Sequence, residues 1–318
     1  KNPSIEDVLK GLVICRKFKP DVILAIGGGS AMDCAKAILL FYEFPYLNFE
    51  NVLEFNKKGE IPTERKTGLI CVPSTSGTGS EVTRGTVITD PEKELKVPIM
   101  TDCLRPDLAI LDPEITMTMP DHVAAETGMD ALTHAIEAYT NHNLDDFDEG
   151  LCSSAIIGIM KWLPVSVFDK TLEAREKVHN YQAMAGIGFA NVGLGMVHGI
   201  AHSFGAAYNM AHGLTNAIIL PYVLRYNSRD AVVREKLAEL SYRCHCDDII
   251  TEIEKMREKL GIPASFREAG ITEEMYREKY DLLLEHAMLG ATNVNPVKMT
   301  IEEMKKMLNV VYTGNWEI

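Results

Sequence analysis

The sequence predicts an α/β domain over residues 1–121 followed by an all-helical domain over residues 122–318. Short apolar runs alternate with helix-period segments up to about Asp112, whereas only helix-period segments rich in Ala, Met, Leu and Glu follow Pro120. All 9 histidines lie at or after His122, so the two parts also differ in chemistry. A chain of 318 residues is long for one domain and comfortable for two.

The first domain is predicted to alternate strands and helices. Residues 21–26 form an apolar, β-branched run that glycines close, which is typical of a buried parallel strand. Ser30 is predicted to cap the next helix, whose apolar residues recur at helical spacing up to Tyr42. Further strands are predicted at residues 69–72, 86–89 and 108–111, where Pro, Asp-Pro or a Ser/Thr/Gly cluster ends each run.

Composition excludes several classes of protein. A net charge of −13 without a basic stripe argues against nucleic-acid binding, because a phosphate backbone would be repelled. The 7 cysteines are scattered without a CxxC pair, which indicates reduced thiols rather than a disulfide framework. No apolar run approaches the roughly 20 residues of a membrane span. We therefore expect a cytoplasmic protein that binds neither nucleic acid nor membrane.

A glycine loop separates the first predicted strand from its helix. Gly27, Gly28, Gly29 and Ser30 stand where backbone N–H groups and the helix dipole can receive a phosphate. As a dinucleotide fingerprint the loop is imperfect, because Met32 stands where a third glycine belongs and no acidic residue ends a second strand about 20 residues later. A glycine-rich turn without a ligand is the alternative interpretation.

A second loop, Ser74-Thr-Ser-Gly-Thr-Gly-Ser-Glu81, follows another predicted strand and offers hydroxyls on a glycine-permitted backbone. Two loops at the carboxyl ends of parallel strands line one crevice in open α/β sheets, which is where ligands bind. Together the two loops predict a dinucleotide site. The G-x-S-x-G elbow of a serine hydrolase does not occur in the sequence.

One aspartate and several histidines have the spacing of metal ligands. Asp130 and His134 are one helical turn apart, and so are His198 and His202. His212 follows in Met-Ala-His-Gly. A carboxylate with three imidazoles suits Fe(II), Zn(II), Mn(II) or Co(II), so the spacing predicts a shared divalent site in the helical domain.

These segments together resemble the iron-dependent (group III) alcohol dehydrogenases. The resemblance rests on Gly27–Ser30 with Asp33 and Lys36, on residues 73–81, on Glu126-Thr-Gly-Met-Asp-Ala-Leu-Thr-His-Ala-Ile-Glu-Ala-Tyr139, and on the two histidine segments at residues 198–202 and 212–216. It runs in order from about Asn2 to past Pro221.

The resemblance implies a dehydroquinate synthase-like fold, in which a Rossmann-like dinucleotide-binding α/β domain precedes an all-helical metal-binding domain and the active site lies between them. The implied metal is Fe(II), with Zn(II) or another divalent ion as alternatives, and the implied ligands are Asp130, His134, His198 and His212. His202 would lie near the nicotinamide and the substrate and assist proton movement. Gly28, Gly29 and Ser30 would hold the pyrophosphate of NAD or NADP. The rest of the cofactor groove would be lined by Asp33, Ser74, Thr75, Thr78 and Lys96, with Asn2 as a further candidate.

The implied activity is that of an NAD(P)-dependent alcohol dehydrogenase or aldehyde reductase, with hydride transfer between nicotinamide and a small primary alcohol or diol. The family also favours a homodimer or higher homo-oligomer. Its members begin with a further strand–helix–strand portion, so the nucleotide domain is predicted to be incomplete at its N-terminal side.

Three alternatives stay open at this point. A glycerol dehydrogenase-like enzyme typically has one metal ligand fewer than the set found here. A dehydroquinate synthase-like lyase needs a basic cluster for phosphate, whereas Lys and Arg are sparse between residues 120 and 215. The third alternative is a truncated remnant that binds metal without catalysis.

Overall fold

The structure is a computed structural model that describes residues 3–90 and 95–316, except for the side chains of residues 90, 95 and 96. Two compact units form the chain, Lys1–Met119 and Pro120–Ile318. The domain boundary predicted from the sequence, after residue 121, falls at the first residue of the helix that opens the second unit.

The first unit is an α/β unit. Its elements are α1 (Ile5–Phe18), β1 (Val22–Gly27), α2 (Gly29–Glu43), α3 (Val52–Lys58), β2 (Gly68–Pro73), β3 (Gly85–Asp90), β4 (Leu95–Met100), β5 (Leu108–Ala109) and α4 (Pro113–Thr116). Strands β1, β2 and β5 form a parallel sheet in the order β1-β2-β5, whereas β3 and β4 form an antiparallel pair. The register of the parallel sheet places Gly27 opposite Pro73, so both predicted loops leave the same edge of the sheet.

Three details of this unit differ from the sequence predictions. The interpretation of Ser30 as a helix cap is wrong, because α2 begins at Gly29 and Gly28 is its N-cap residue. Strand β4 was not predicted, and Pro98 interrupts its apolar alternation. The strand tolerates this proline because β4 belongs to a two-stranded ribbon and has a partner strand on one side only. The prediction of a fully buried β1 is also wrong, because alternate side chains Val22, Leu24 and Ile26 are each more than half exposed.

The larger of two core clusters in this unit lies where the helices α1 and α2 meet the β3–β4 ribbon. Apolar side chains from all four elements bury against one another, including Val8, Leu12, Leu40, Phe41, Ile88, Val97 and Ile99. Close packing of this kind excludes water and is the main source of stability for such a unit. The core therefore attaches the ribbon to α2, the helix that starts at the glycine loop.

Every regular element described in the second unit is helical. The helices are α5 (Asp121–Thr140), α6 (Asp146–Phe168), α7 (Leu172–Val192), α8 (Met196–Tyr208), α9 (His212–Asn227), α10 (Ala231–Arg243), α11 (Ile249–Lys259), α12 (Glu273–Ala287) and α13 (Ile301–Thr313). Helix α5 packs against α6, α7 and α9, and its side chains are buried from Gly128 to Thr140. The predicted fold class, an α/β part followed by an all-helical part, is confirmed.

The sequence analysis expected no membrane span, but helix α6 meets the length and hydropathy criteria for one. Among the residues that the structure describes, it is the one single helix that is long and apolar enough to cross a membrane. Half of its apolar stretch is buried within the protein, where α6 packs against α5 and α7. A core helix of a helical protein has the same properties.

Candidate metal centre and cofactor loops

Helix α5 carries the first two predicted metal ligands, Asp130 and His134. Their spacing of four residues places both side chains on one face of the helix, and both are buried. The Nε2 atom of His134 lies 3.8 Å from Oδ1 of Asp130. The ring of His134 also stacks on Phe189 of α7, with 4.3 Å between ring centroids, which fixes its orientation.

Helices α8 and α9 bring the other two predicted ligands to the same carboxylate. The Nε2 atom of His198 lies 3.9 Å from Oδ1 of Asp130, and that of His212 lies 3.7 Å away. One ligand atom from each of Asp130, His134, His198 and His212 can be chosen so that all four lie within 4.8 Å of one another. His198 is buried and His212 is 30 % exposed, so the cluster is accessible from one side.

A close approach between α9 and α5 makes this convergence feasible. Gly213 directly follows His212, and a Cβ atom at this position would lie 2.2 Å from the backbone oxygen of Glu126 on α5. No larger residue fits against that carbonyl without moving one of the helices. Gly213 therefore allows the first turn of α9 to place His212 beside Asp130.

Glu137 supports the histidine ligand on α8. Its Oε2 atom lies 2.6 Å from Nδ1 of His198, and its Oε1 atom accepts a hydrogen bond from the backbone N–H of Val197 at 2.7 Å. Burial lowers the pKa of His198 well below its ordinary value, which favours the neutral imidazole. A neutral imidazole that donates from Nδ1 to a carboxylate presents the lone pair of Nε2 to a metal.

The donor set fits a divalent cation. One carboxylate and three imidazole nitrogens, mostly buried and converging on one point, are the hard and borderline ligands that Fe(II), Zn(II), Mn(II) and Co(II) bind. His202, the fourth histidine of these segments, is exposed, and its ring stacks on that of His212 with 5.2 Å between centroids. A titratable, solvent-facing group thus lies directly beside the ligand cluster.

In the first unit, the two predicted cofactor loops pack against each other. A Cβ atom at Gly28 would lie 3.3 Å from the hydroxyl of Thr75, and one at Gly29 would lie 2.7 Å from the methyl group of Thr78. The backbone N–H of Ser74 donates to the carbonyl oxygen of Gly27 at 2.9 Å. The glycines therefore allow the second loop to approach the N-terminus of α2, where helix N–H groups can bind a phosphate.

Asp33 and Lys36 attach this second loop to α2. The carboxylate of Asp33 accepts hydrogen bonds from the hydroxyl of Ser80 at 2.8 Å and from the backbone N–H of Val87 at 2.9 Å. The ammonium group of Lys36 donates to the backbone oxygens of Ser80 at 2.6 Å and of Thr83 at 2.8 Å, and to that of Gly85 at 3.0 Å. Both side chains hold protein groups, and the predicted cofactor contact of Asp33 stays a prediction.

Comparison with known proteins places this chain in a family. Residues 1–113 match the family model described as iron-containing alcohol dehydrogenase, and residues 124–312 match the model of the C-terminal part of the Fe-containing alcohol dehydrogenase family. The chain belongs to the iron-containing alcohol dehydrogenase family. Its resemblance to that family, which the sequence motifs predicted, is thereby confirmed.

Individual iron-containing alcohol dehydrogenases and related proteins resemble the whole chain. It is 39 % identical over 323 residues to the NADPH-dependent butanol dehydrogenase of Clostridium saccharobutylicum, a match that covers 98 % of this chain and 82 % of that protein. The structure of the iron-containing alcohol dehydrogenase of Thermococcus thioreducens matches with a TM-score of 0.91 and 36 % identity, over 99 % of this chain and 83 % of that one. The sulfoacetaldehyde reductase of Bifidobacterium kashiwanohense, solved in complex with NAD+, matches with a TM-score of 0.87 and 27 % identity, over 99 % and 82 % of the two chains.

Sequence reasoning missed two residues that touch the ligand cluster of this family member, Glu137 and Asn216. Glu137 lies seven residues after Asp130, and Asn216 lies four residues after His212, so each shares a helix face with a predicted ligand. That spacing was the signal available in the sequence. The sequence analysis considered only His and Asp side chains as metal ligands. It did not consider side chains that form hydrogen bonds to those ligands.

The side chains of two predicted cofactor-binding residues lie outside the described part of the structure. Asn2 precedes the first described residue, and the side chain of Lys96 is not described, although its backbone pairs with Thr89 in the β3–β4 ribbon. Their roles stay predictions.

Proposed function

We propose that this alcohol dehydrogenase transfers hydride between NAD or NADP and a small primary alcohol or diol, with Fe(II) or another divalent cation held by Asp130, His134, His198 and His212. The observation that carries the proposal is the convergence of these four side chains, with one ligand atom from each lying within 4.8 Å of the others. When bound, the cation supplies Lewis acidity toward the substrate oxygen and the nicotinamide supplies the hydride acceptor.

The residues of the chain have separate tasks in this proposal. Glu137 holds the His198 ring in the tautomer that leaves Nε2 free of a proton. His202 carries the alcohol proton to solvent, since its ring is exposed and stacks on His212. Gly28, Gly29 and Ser30 hold the pyrophosphate at the N-terminus of α2, while Ser74, Thr75 and Thr78 supply hydroxyls beside it.

The similarity to a butanol dehydrogenase supports a small primary alcohol as substrate. One relative is described as NADPH-dependent and another was solved with NAD+, which supports a nicotinamide dinucleotide of either type. We further propose a cytoplasmic homodimer or higher homo-oligomer, as is expected from the family resemblance.

The activity is tested with the full chain loaded anaerobically with Fe(II). We expect a change in nicotinamide absorbance that depends on butanol with NAD(P)+, or on butyraldehyde with NAD(P)H. Absence of any alcohol- or aldehyde-dependent change with either cofactor, in protein that binds the metal, would overturn the proposal and favour the non-catalytic alternative.

The site assignment is tested with two histidines that lie one helical turn apart on α8. His198→Ala is expected to abolish metal loading, because it removes a buried ligand. His202→Ala serves as the matched control on the same helix, and it should retain the metal while turnover slows. Metal content measured by elemental analysis, together with steady-state rates, distinguishes the two variants. Equal loss of metal in both would contradict the assigned roles.

A further inference from the structure

The first turn of α8 lacks a capping side chain of its own. Its N-cap residue is Gly195, whereas the first N–H groups of a helix usually bond to the side chain of the N-cap residue. Two distant side chains take this part instead. Oε1 of Glu137 accepts the backbone N–H of Val197 at 2.7 Å, and Oδ1 of Asn295 accepts that of Met196 at 3.1 Å. The start of α8 is therefore held by groups outside the helix.

Gly195 allows both of these acceptors to reach the helix. A Cβ atom at this position would lie 2.8 Å from Oε1 of Glu137 and 3.1 Å from Oδ1 of Asn295. A larger N-cap residue would therefore push one acceptor away. Because the carboxylate of Glu137 also lies 2.6 Å from Nδ1 of His198, a shift in the start of α8 would change that contact too.

The carboxamide of Asn295 is fixed in one orientation. It is buried, and its oxygen accepts from the backbone N–H of Met196 and from Nδ2 of Asn227 at 3.2 Å. Its nitrogen donates to Oδ1 of Asn227 and to the backbone oxygen of Val297, each at 2.8 Å. These bonds use both acceptor and both donor positions of the amide. The reverse orientation would set an amide N–H against the N–H of Met196, so only the observed one presents an oxygen to α8.

The chain just before Asn295 also packs closely on α8. It forms a short helical turn, Gly290–Val294, beside the helix. A Cβ atom at Gly199 would overlap the hydroxyl group of Thr292 in this turn. Since Gly199 directly follows His198, the chain around Asn295 contacts α8 both before and after this histidine.

We propose that Asn295 is a positioning residue for His198. Its carboxamide holds the first turn of α8 against Glu137, so that the imidazole of His198 keeps the orientation in which it joins Asp130. Asn295 acts through the helix backbone and not as a metal ligand. The inference rests on the metal centre proposed above, but the contacts that carry it lie within the chain itself.

The test compares Asn295→Ala with Tyr226→Phe in the full chain. Both changes remove hydrogen bonds between α9 and the chain that follows α12, since Asn227 bonds to Asn295 and the neighbouring Tyr226 donates to the backbone oxygen of Lys298 at 2.9 Å. Only Asn295→Ala also removes the acceptor at the start of α8. Tyr226→Phe is therefore a matched control for general loosening of this region.

Two readouts follow the orientation of His198. Competition titration against a chelating dye measures Co(II) affinity, which should fall about 10-fold in Asn295→Ala, at the lower end of the range for groups that orient a metal ligand. In metal-free protein, the proton in the short contact between His198 and Glu137 should give a low-field resonance, identified by its loss in His198→Ala. We expect this resonance to shift or broaden in Asn295→Ala. Tyr226→Phe should match the parent protein in both readouts.

The outcomes separate this inference from the metal centre on which it rests. An Asn295→Ala protein whose affinity or resonance matches that of the parent, or equal changes in Tyr226→Phe, would overturn the role of Asn295. A parent protein that binds no Co(II) would overturn the metal centre, and the resonance then decides the role of Asn295 alone.

A second variant serves if Asn295→Ala does not fold, as judged by circular dichroism. Asn227→Ala keeps the oxygen of Asn295 but removes the amide that fixes its orientation. Smaller changes in the same direction in both readouts would support the inference. Values equal to those of the parent protein would overturn it.

Discussion

Glu137 is a buried side chain that holds the proposed metal ligand His198 in place. Its carboxylate lies 2.6 Å from Nδ1 of His198 and also accepts the backbone N–H of Val197, so it fixes both the ring and the start of the helix that carries it. Partners of this kind orient the ligand and raise its basicity. The residue therefore positions His198 without being a metal ligand itself.

Replacing Glu137 should weaken metal binding in a graded way. Glu137→Ala is expected to lower Co(II) affinity by about 10- to 100-fold, because His198 loses the acceptor that fixes its tautomer. Glu137→Gln keeps an oxygen that can accept the Nδ1–H group, so its loss should be smaller. Competition titration against a chelating dye measures both. Unchanged affinity in Glu137→Ala would contradict the positioning role.

At the scale of elements, Lys36 links α2 to the second cofactor loop and to β3. Its three N–H donors meet three backbone carbonyls, those of Ser80, Thr83 and Gly85, which satisfies an ammonium group that is fully buried. Burial lowers the pKa of Lys36, while the nearby carboxylate of Asp33 opposes that change. The pair thereby keeps the Ser/Thr/Gly loop beside the helix N-terminus.

Lys36→Met should loosen this connection. The methionine keeps most of the side-chain volume but removes the hydrogen bonds to three carbonyls. Since hydrogen bonds to charged groups contribute about 1.5–3 kcal/mol each, we expect the free energy of unfolding to fall by about 3 kcal/mol or more. Chemical denaturation measures this change, and NADPH binding by fluorescence should weaken in parallel. Lys17→Met, at an exposed position on α1, is the control. Equal denaturation midpoints for the two variants would show that Lys36 is not a structural link.

At the scale of the whole molecule, the proposed metal ligands connect three helices of the second unit. Asp130 and His134 lie on α5, His198 on α8 and His212 on α9, so the cluster exists only when these helices are folded together. A cation that binds the folded state alone stabilises it by mass action. We therefore expect metal binding and folding of this unit to be coupled.

Metal removal should lower the melting temperature of the second unit. At a free metal concentration of 1,000 times Kd the stabilisation is about 4 kcal/mol. For a unit of this size, that corresponds to a shift of about 8–16 °C. Differential scanning calorimetry with and without chelator measures the shift, and His198→Ala should show almost none. A shift of equal size in that variant would mean that the metal binds elsewhere.

Local sequence patterns predicted much of the fold and of the candidate site. Helical spacing placed Asp130 with His134, and the apolar runs predicted β1, β2, β3 and the short β5. The failures also have local causes. Pro98 interrupts the apolar alternation that would have indicated β4. Gly28 rather than Ser30 caps α2, because the helix begins two residues earlier than the sequence predicted.

The sequence by itself determined the order of the two parts, the glycine loop and the pairs of ligands within single helices, because these depend on periodicity and on residue type. Only the tertiary structure decided that His198 and His212 reach the carboxylate of Asp130, that Glu137 supports His198 and that Asn216 faces three ligands. The physical reason is that these contacts join residues up to 86 positions apart. Their distances depend on how closely helices pack, as at Gly213 against Glu126, and no local pattern encodes that approach.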